Sequence, residues 1–190
     1  ECNDTPPAYG AAGSGTVVLA QTPPEHYSYR IDSIANLTEY ARAALFQKRQ
    51  EGIVVLRDKL AEVLGAPSGS RWLRLAGLRQ NKRDELPVAW TDIYIAEPYI
   101  GVREGLGVVD RPIYQMLSEQ FGLTIAEVER RISAVKMPAD LAAELSSEPD
   151  GAALMERRRY WSDAGELFEV TLSFHPGDRF SQTIRLKRDS

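Results

Sequence analysis

The stretch at 166–175 (ELFEVTLSFH) restricts the fold more than any other part of the chain. Phe168, Val170, Leu172 and Phe174 alternate there with Glu169, Thr171, Ser173 and His175. Successive strand side chains point to opposite sides, so the pattern reads as a β-strand with one apolar and one polar face. Turn-forming residues bracket it, Ser162-Asp163-Ala164-Gly165 before and Pro176-Gly177-Asp178 after. Strand-like runs at 152–161 and 179–187 flank those turns. Three strands joined by two tight turns predict an antiparallel meander. A chain built this way needs an antiparallel sheet, and it needs something to cover the apolar face.

Upstream, 71–79 (RWLRLAGLR) and 86–95 (LPVAWTDIYI) read as two longer strands joined by the charged loop 81–85. Residues 124–135 alternate as another strand, and 16–20 and 53–56 as short ones. Helical spacing begins at Ser33, where Ile34, Leu37, Ala41, Ala44 and Leu45 recur every three or four residues. Ser33 or Asp32 would cap that helix. A second helix, 58–64, stops at Gly65 and Pro67. A third, 112–121, opens on Pro112 and ends at Gly122, and a short fourth spans 139–145. Strands outnumber helices and do not alternate strictly with them, which makes the class α+β. Residues 1–15, rich in Gly, Pro, Ala and Ser, read as a linker, and no internal repeat is present.

At 190 residues the chain holds about one domain, large enough to need no disulfide or metal staple. Its 27 acidic and 23 basic side chains give a net charge of −4, which argues against a stand-alone nucleic-acid binder. Cys2 is the only cysteine, and His26 and His175 are the only histidines. That excludes a disulfide framework and a cysteine-rich zinc site, and we expect neither metal nor cofactor. No apolar run approaches the roughly 20 residues of a membrane-spanning helix. The chain opens on Glu1 with no secretory apolar segment, so it reads as a fragment or processed product.

The polar face of 166–175 admits two readings. It faces water, as on half-buried sheets, or it lines a pocket for a small polar metabolite. Ser173 and His175 share that face, but no strained turn or oxyanion hole accompanies them, so nucleophilic catalysis is not the expectation. The charges Glu156 and Arg157 to Arg159 read as a solvated strand edge. Trp72, Trp90 and Trp161 read as core or interface aromatics, and apolar residues in 71–79 and 152–161 as a patch that a second copy would cover.

Several segments resemble, in order, one family. They are Gly69-Ser70-Arg71-Trp72-Leu73-Arg74-Leu75, Gly77-Leu78-Arg79, Leu86 to Ile95, Pro112-Ile113-Tyr114-Gln115-Met116-Leu117 with Phe121-Gly122-Leu123, and Asp163 to Phe180. This set is similar to the UTRA effector domain of HutC-branch GntR-type transcriptional regulators and covers about residues 16–190. The resemblance implies a chorismate-lyase-like fold, an antiparallel sheet flanked by helices. It also implies a cytoplasmic, homodimeric regulator, often a repressor, that binds a small-molecule effector and is not an enzyme. A chorismate-lyase-like enzyme on the same fold is the alternative.

By the same resemblance, 13–17 looks like the end of a winged helix-turn-helix wing, whose operator-reading helices are missing from this chain. Residues 1–15 are then linker and wing remnant, and 16–190 the effector domain. Relatives that bind sugar phosphates use an Arg-x-Arg strand motif; here it reads Gly77-Leu78-Arg79, keeping one arginine. Thr91 stands where a glutamate is frequent, and His175 where a tyrosine is. Tyr114 and Glu169 are retained, and Ser33 opens the first helix where relatives present donors to an anion. The implied ligand-binding set is therefore Arg79, Thr91, Tyr114, Glu169, His175 and Ser33. One arginine and an imidazole suit a singly charged carboxylate better than a phosphate. If His175 met that anion as an imidazolium, affinity would fall between about pH 6 and 8.

Overall fold

The computed structural model describes residues 27–28, 44–81, 85–106 and 111–182. Its strands are β1 (Tyr27–Ser28), β2 (Ala44–Val55), β3 (Arg71–Asn81), β4 (Ala89–Ala96), β5 (Ile125–Lys136), β6 (Ala152–Ser162), β7 (Leu167–Pro176) and β8 (Phe180–Ser181). The helices are α1 (Asp58–Leu64), a 3-10 helix (Glu97–Gly105), α2 (Ile113–Phe121) and α3 (Ala139–Glu144). Six strands form one antiparallel sheet in the order β2-β3-β4-β7-β6-β5. This is the α+β class that the sequence pattern implies, and the antiparallel sheet flanked by helices that the resemblance implies. No helix among the described residues is long and apolar enough to cross a membrane.

Three local readings change. Ala44 and Leu45, whose spacing suggests helix, open β2 and pair with Asn81 and Gln80. Alanine and leucine are good helix formers, but propensity is worth little against tertiary context, and a ladder along the whole of β3 outweighs it. The meander is also incomplete. β6 and β7 form the expected hairpin, but β7 lies between β6 and β4, and β8 pairs in parallel with β1 instead. The 3-10 helix after β4, opened by Pro98 at one of its first positions, has no counterpart in the sequence pattern. The candidate strand 16–20, the linker 1–15, most of the helix from Ser33 and residues 183–187 of the expected strand 179–187 lie outside the described residues.

Two glycines set the geometry around the sheet. Gly65 closes α1 in the left-handed region, φ 70°, and its N–H bonds back to Ala61 O and Glu62 O. Gly77 faces the β2 bulge between Lys48 and Gln50. A Cβ at Gly77 would lie 2.1 Å from the Gln47 carbonyl oxygen, so only glycine lets the two backbones approach.

The core lies on both sides of the sheet. On one side Leu56, with Ala61 and Leu64 from α1, packs onto Trp72, Tyr94, Val170 and Leu172. Around α3, Met137, Ala142 and Leu145 close over Ala76, Leu78, Trp90 and Ala153. The apolar residues of 71–79 are therefore mostly covered from within the chain, and they leave no patch awaiting a second copy. Trp161 is half-buried, with the Arg159 guanidinium 5.1 Å from its ring centre. On the other side the 3-10 helix and α2 bring Val102, Leu106, Ile113 and Leu117 against Leu73, Leu75, Ile93, Ile95 and Phe168. Phe168 joins this second cluster, and not Val170, because β7 carries a bulge. Tyr160 pairs with Glu169 and Trp161 with Leu167, which leaves Phe168 as the extra residue.

Candidate ligand-binding site

Strand register builds the site. Arg79 on β3 pairs with Ala89, and Gly77 with Thr91 on β4. Thr91 pairs with Ser173 on β7, which in turn pairs with Glu156 on β6. Thr171 pairs with Arg158, and Glu169 with Tyr160. Paired residues share a face, so Arg79, Thr91, Glu169, Thr171, Ser173, His175, Glu156 and Arg158 stand on one side of the sheet. All eight are buried. The polar side of β7 is thus inside the protein, and the solvated-face reading is overturned.

Glu156 anchors the cluster. It accepts from Arg158 Nε at 2.7 Å and from Arg130 Nε, reached from β5. Burial alone would raise its pKa, but the Arg158 charge and its hydrogen bonds outweigh that and hold the carboxyl well below the usual range. Residues 156–159 are therefore no solvated edge. Glu156 is 1% exposed and Arg158 5%. The edge strand on this side of the sheet is β5.

His175 is completely buried and stacks on Phe180 at 4.0 Å. Its Nδ1 lies 3.1 Å from the Val88 carbonyl oxygen. A carbonyl can only accept, so Nδ1 carries the proton. Nε2 then faces Glu156 Oε2 at 3.7 Å, too far for a direct hydrogen bond. Burial pushes the imidazole pKa below its ordinary value, and the Glu156 charge opposes this without reversing it. In the free chain this shift disfavours the imidazolium form and leaves the Nδ1–H donor to the Val88 carbonyl in place.

Glu169 is the contrasting carboxyl. It is 2% exposed, and its Oε2 has no hydrogen-bond partner among the described residues. Burial pushes its pKa up to about 8, against the charges of Arg79 and Arg158. Arg79 Nη1 donates to Ala44 O at 3.2 Å, and its guanidinium lies 5.5 Å from the Phe46 ring centre. The Thr91 and Ser173 hydroxyls share a 2.9 Å hydrogen bond. Tyr114 reaches the cluster from α2 by stacking on Tyr160, with centroids 5.3 Å apart. Ser33 lies outside the described residues.

Arg79, Thr91, Glu169 and His175 thus occupy one buried face, with Tyr114 at its α2 end. The sequence reading missed Glu156, Arg158 and Arg130. Parity puts Glu156, Arg158 and Tyr160 on one face of a strand, but because Arg157 and Arg159 are charged too it does not say which face is buried. An open groove of about 530 Å³ lies elsewhere, lined by residues that include Met137, Gly151, Ala152 and Pro176, and holds none of this cluster. Among the described residues no three His, Cys, Asp or Glu side chains are grouped to hold a metal ion.

The sequence profile of the UTRA domain matches residues 51–181, which include every strand of the six-stranded sheet in whole or part. The chain belongs to the UTRA domain family. Solved structures share its fold at low identity. The effector domain of PhnF from Mycobacterium smegmatis superposes with a TM-score of 0.67 at 20% identity, covering 80% of this chain and 94% of that one. The C-terminal domain of the histidine utilization repressor from Pseudomonas syringae pv. tomato gives 0.65 at 19%, covering 76% and 99%. The ligand-binding domain of a GntR-family regulator from Bordetella bronchiseptica gives 0.62 at 15%, covering 76% and 91%. In this UTRA domain the buried polar face lies on the four strands β3, β4, β7 and β6 at the middle of the sheet.

Proposed function

We propose that this UTRA domain is the effector-sensing and dimerisation part of a bacterial GntR-type, HutC-branch transcriptional regulator. It acts in the cytoplasm and binds a small anionic metabolite on the polar face formed by Arg79, Thr91, Glu169 and His175. Tyr114 and Ser33 complete the site. A winged helix-turn-helix N-terminal to this domain reads operator DNA, and effector binding changes how two such readers are spaced. The observation that carries this reading is the buried guanidinium of Arg79, on the same face as two hydroxyls and a neutral imidazole. Such a set recognises a carboxylate through charge and the rest of a small metabolite through hydrogen bonds.

A thermal-shift screen of anionic and neutral metabolites tests it, because a ligand bound only by the folded state raises Tm. The expected hits are monoanions. If every hit is neutral or cationic, the anion reading fails.

A further inference from the structure

Two carboxyls share the buried face, and their surroundings separate them. Glu156 is bonded to Arg158 and Arg130. Glu169 Oε2 is buried and has no hydrogen-bond partner among the described residues. Its strand neighbours are Ile95 on β4 and Tyr160 on β6. The charges that reach it are those of Arg79 from β3 and Arg158 from β6. Tyr114, the titratable group that α2 brings to this region, stacks on Tyr160. The 3-10 helix brings the apolar Val102 and Leu106 to the same region.

We propose that Glu169 stands in this site as a carboxylic acid and donates its proton in a hydrogen bond to the anionic effector. The proposal rests on reading the face as an anion site, and it removes a difficulty in that reading. An ionised Glu169 would repel an anion held by Arg79, whereas a protonated one adds a donor. An ionised Glu156 remains paired, and His175 offers Nε2 as an acceptor. The set therefore favours a monoanion that also carries a hydroxyl or amide N–H donor. Titratable pairs driven apart in this way commonly divide the roles of acid and base in a site, and burial holds Glu169 protonated up to about pH 8. Above that pH, binding must take a proton from solvent, so affinity becomes linked to pH.

The test uses the whole chain and three probes whose charge is fixed over the range: acetate, benzoate and sulfate. Carboxyl 13C NMR of glutamate-labelled protein follows Glu169 without any substitution, and Glu169→Gln assigns its signal. One glutamate should titrate near pH 8 in the free protein and at higher pH with the bound probe. Calorimetry at about pH 8.5 in Tris and in HEPES should then show uptake of roughly three-quarters of a proton. Affinity should fall about tenfold per pH unit beyond the midpoint, and Glu169→Gln should flatten that dependence. If a probe binds but every glutamate titrates below about pH 5.5, the protonated Glu169 is refuted and the anion site stands. If one glutamate titrates near pH 8 but none of the three probes binds at any pH, the anion reading fails and the donation to an effector falls with it.

Discussion

Glu169→Gln is expected to stabilise the free protein at neutral and alkaline pH while leaving it almost unchanged in acid. The folded state raises the Glu169 pKa from its ordinary 4.5 to about 8 because burial disfavours the carboxylate. The folded chain therefore holds a proton that the unfolded chain has released. Stability from this group is full below about pH 4.5, declines as pH rises towards 8, and is level beyond. A tenfold change in proton affinity corresponds to about 1.4 kcal/mol. The interval from 4.5 to about 8 thus costs roughly 5 kcal/mol in all, and about 3 kcal/mol of it is lost by pH 7. Glutamine keeps the shape and neutrality of the protonated acid and cannot ionise. Urea unfolding of both proteins from pH 5 to 9 should give curves that diverge by up to about 1.4 kcal/mol per pH unit. The divergence should end near pH 8. Parallel curves across the range would refute the reasoning, because they would mean that Glu169 ionises as easily folded as unfolded.

Arg79→Met keeps the packing on Phe46 and removes the charge; it should weaken an anionic effector about ten- to a hundredfold by calorimetry, as loss of a charged hydrogen bond implies. Glu156→Ala leaves Arg158 and Arg130 without their shared carboxylate and should cost roughly 3–5 kcal/mol in urea unfolding; equal stability would show that the pair is dispensable. Because the fold lowers the Glu156 pKa, its stabilisation is present above about pH 4.5 and is lost as pH falls below it, opposite in sign to Glu169. Gly77→Ala puts a methyl where the Gln47 carbonyl lies and should cost about 1–3 kcal/mol, with amide exchange of β2 accelerating first; a neutral result would mean that the bulge moves freely. Light scattering at micromolar concentration should report a homodimer, and a strict monomer would remove dimerisation from the proposed function.

The strands and helices were legible where local chemistry was self-sufficient. Gly65 and Gly122 ended α1 and α2 within a residue of expectation, because a left-handed cap depends on the glycine itself. The parity of Glu169, Thr171, Ser173 and His175 was legible for the same reason. What was not legible depended on partners distant in sequence. Nothing in the residues at 44–52 announces an edge strand, since β3 supplies the ladder that makes them one. The bulge at Phe168 arises from the pairing of β6 with β7, and strict alternation assigned that ring to the wrong face.

Glu156 and Arg158 were hidden by a different cause. In the run Glu156-Arg157-Arg158-Arg159 every position is charged, so alternation carries no signal about which side is buried. The structure divides the run by register. Arg157 and Arg159 turn to the α1 side, where both bond Glu129 and Arg157 also donates to Val63 O. Glu156 and Arg158 turn to the polar face. The same register that pairs Ser173 with Glu156 leaves Glu169 beside Tyr160 and Ile95, its Oε2 without a hydrogen-bond partner among the described residues. One carboxyl is therefore fixed as an anion and the other is kept as an acid. That difference in pairing, more than the identity of either residue, determines what charge the site presents to a ligand.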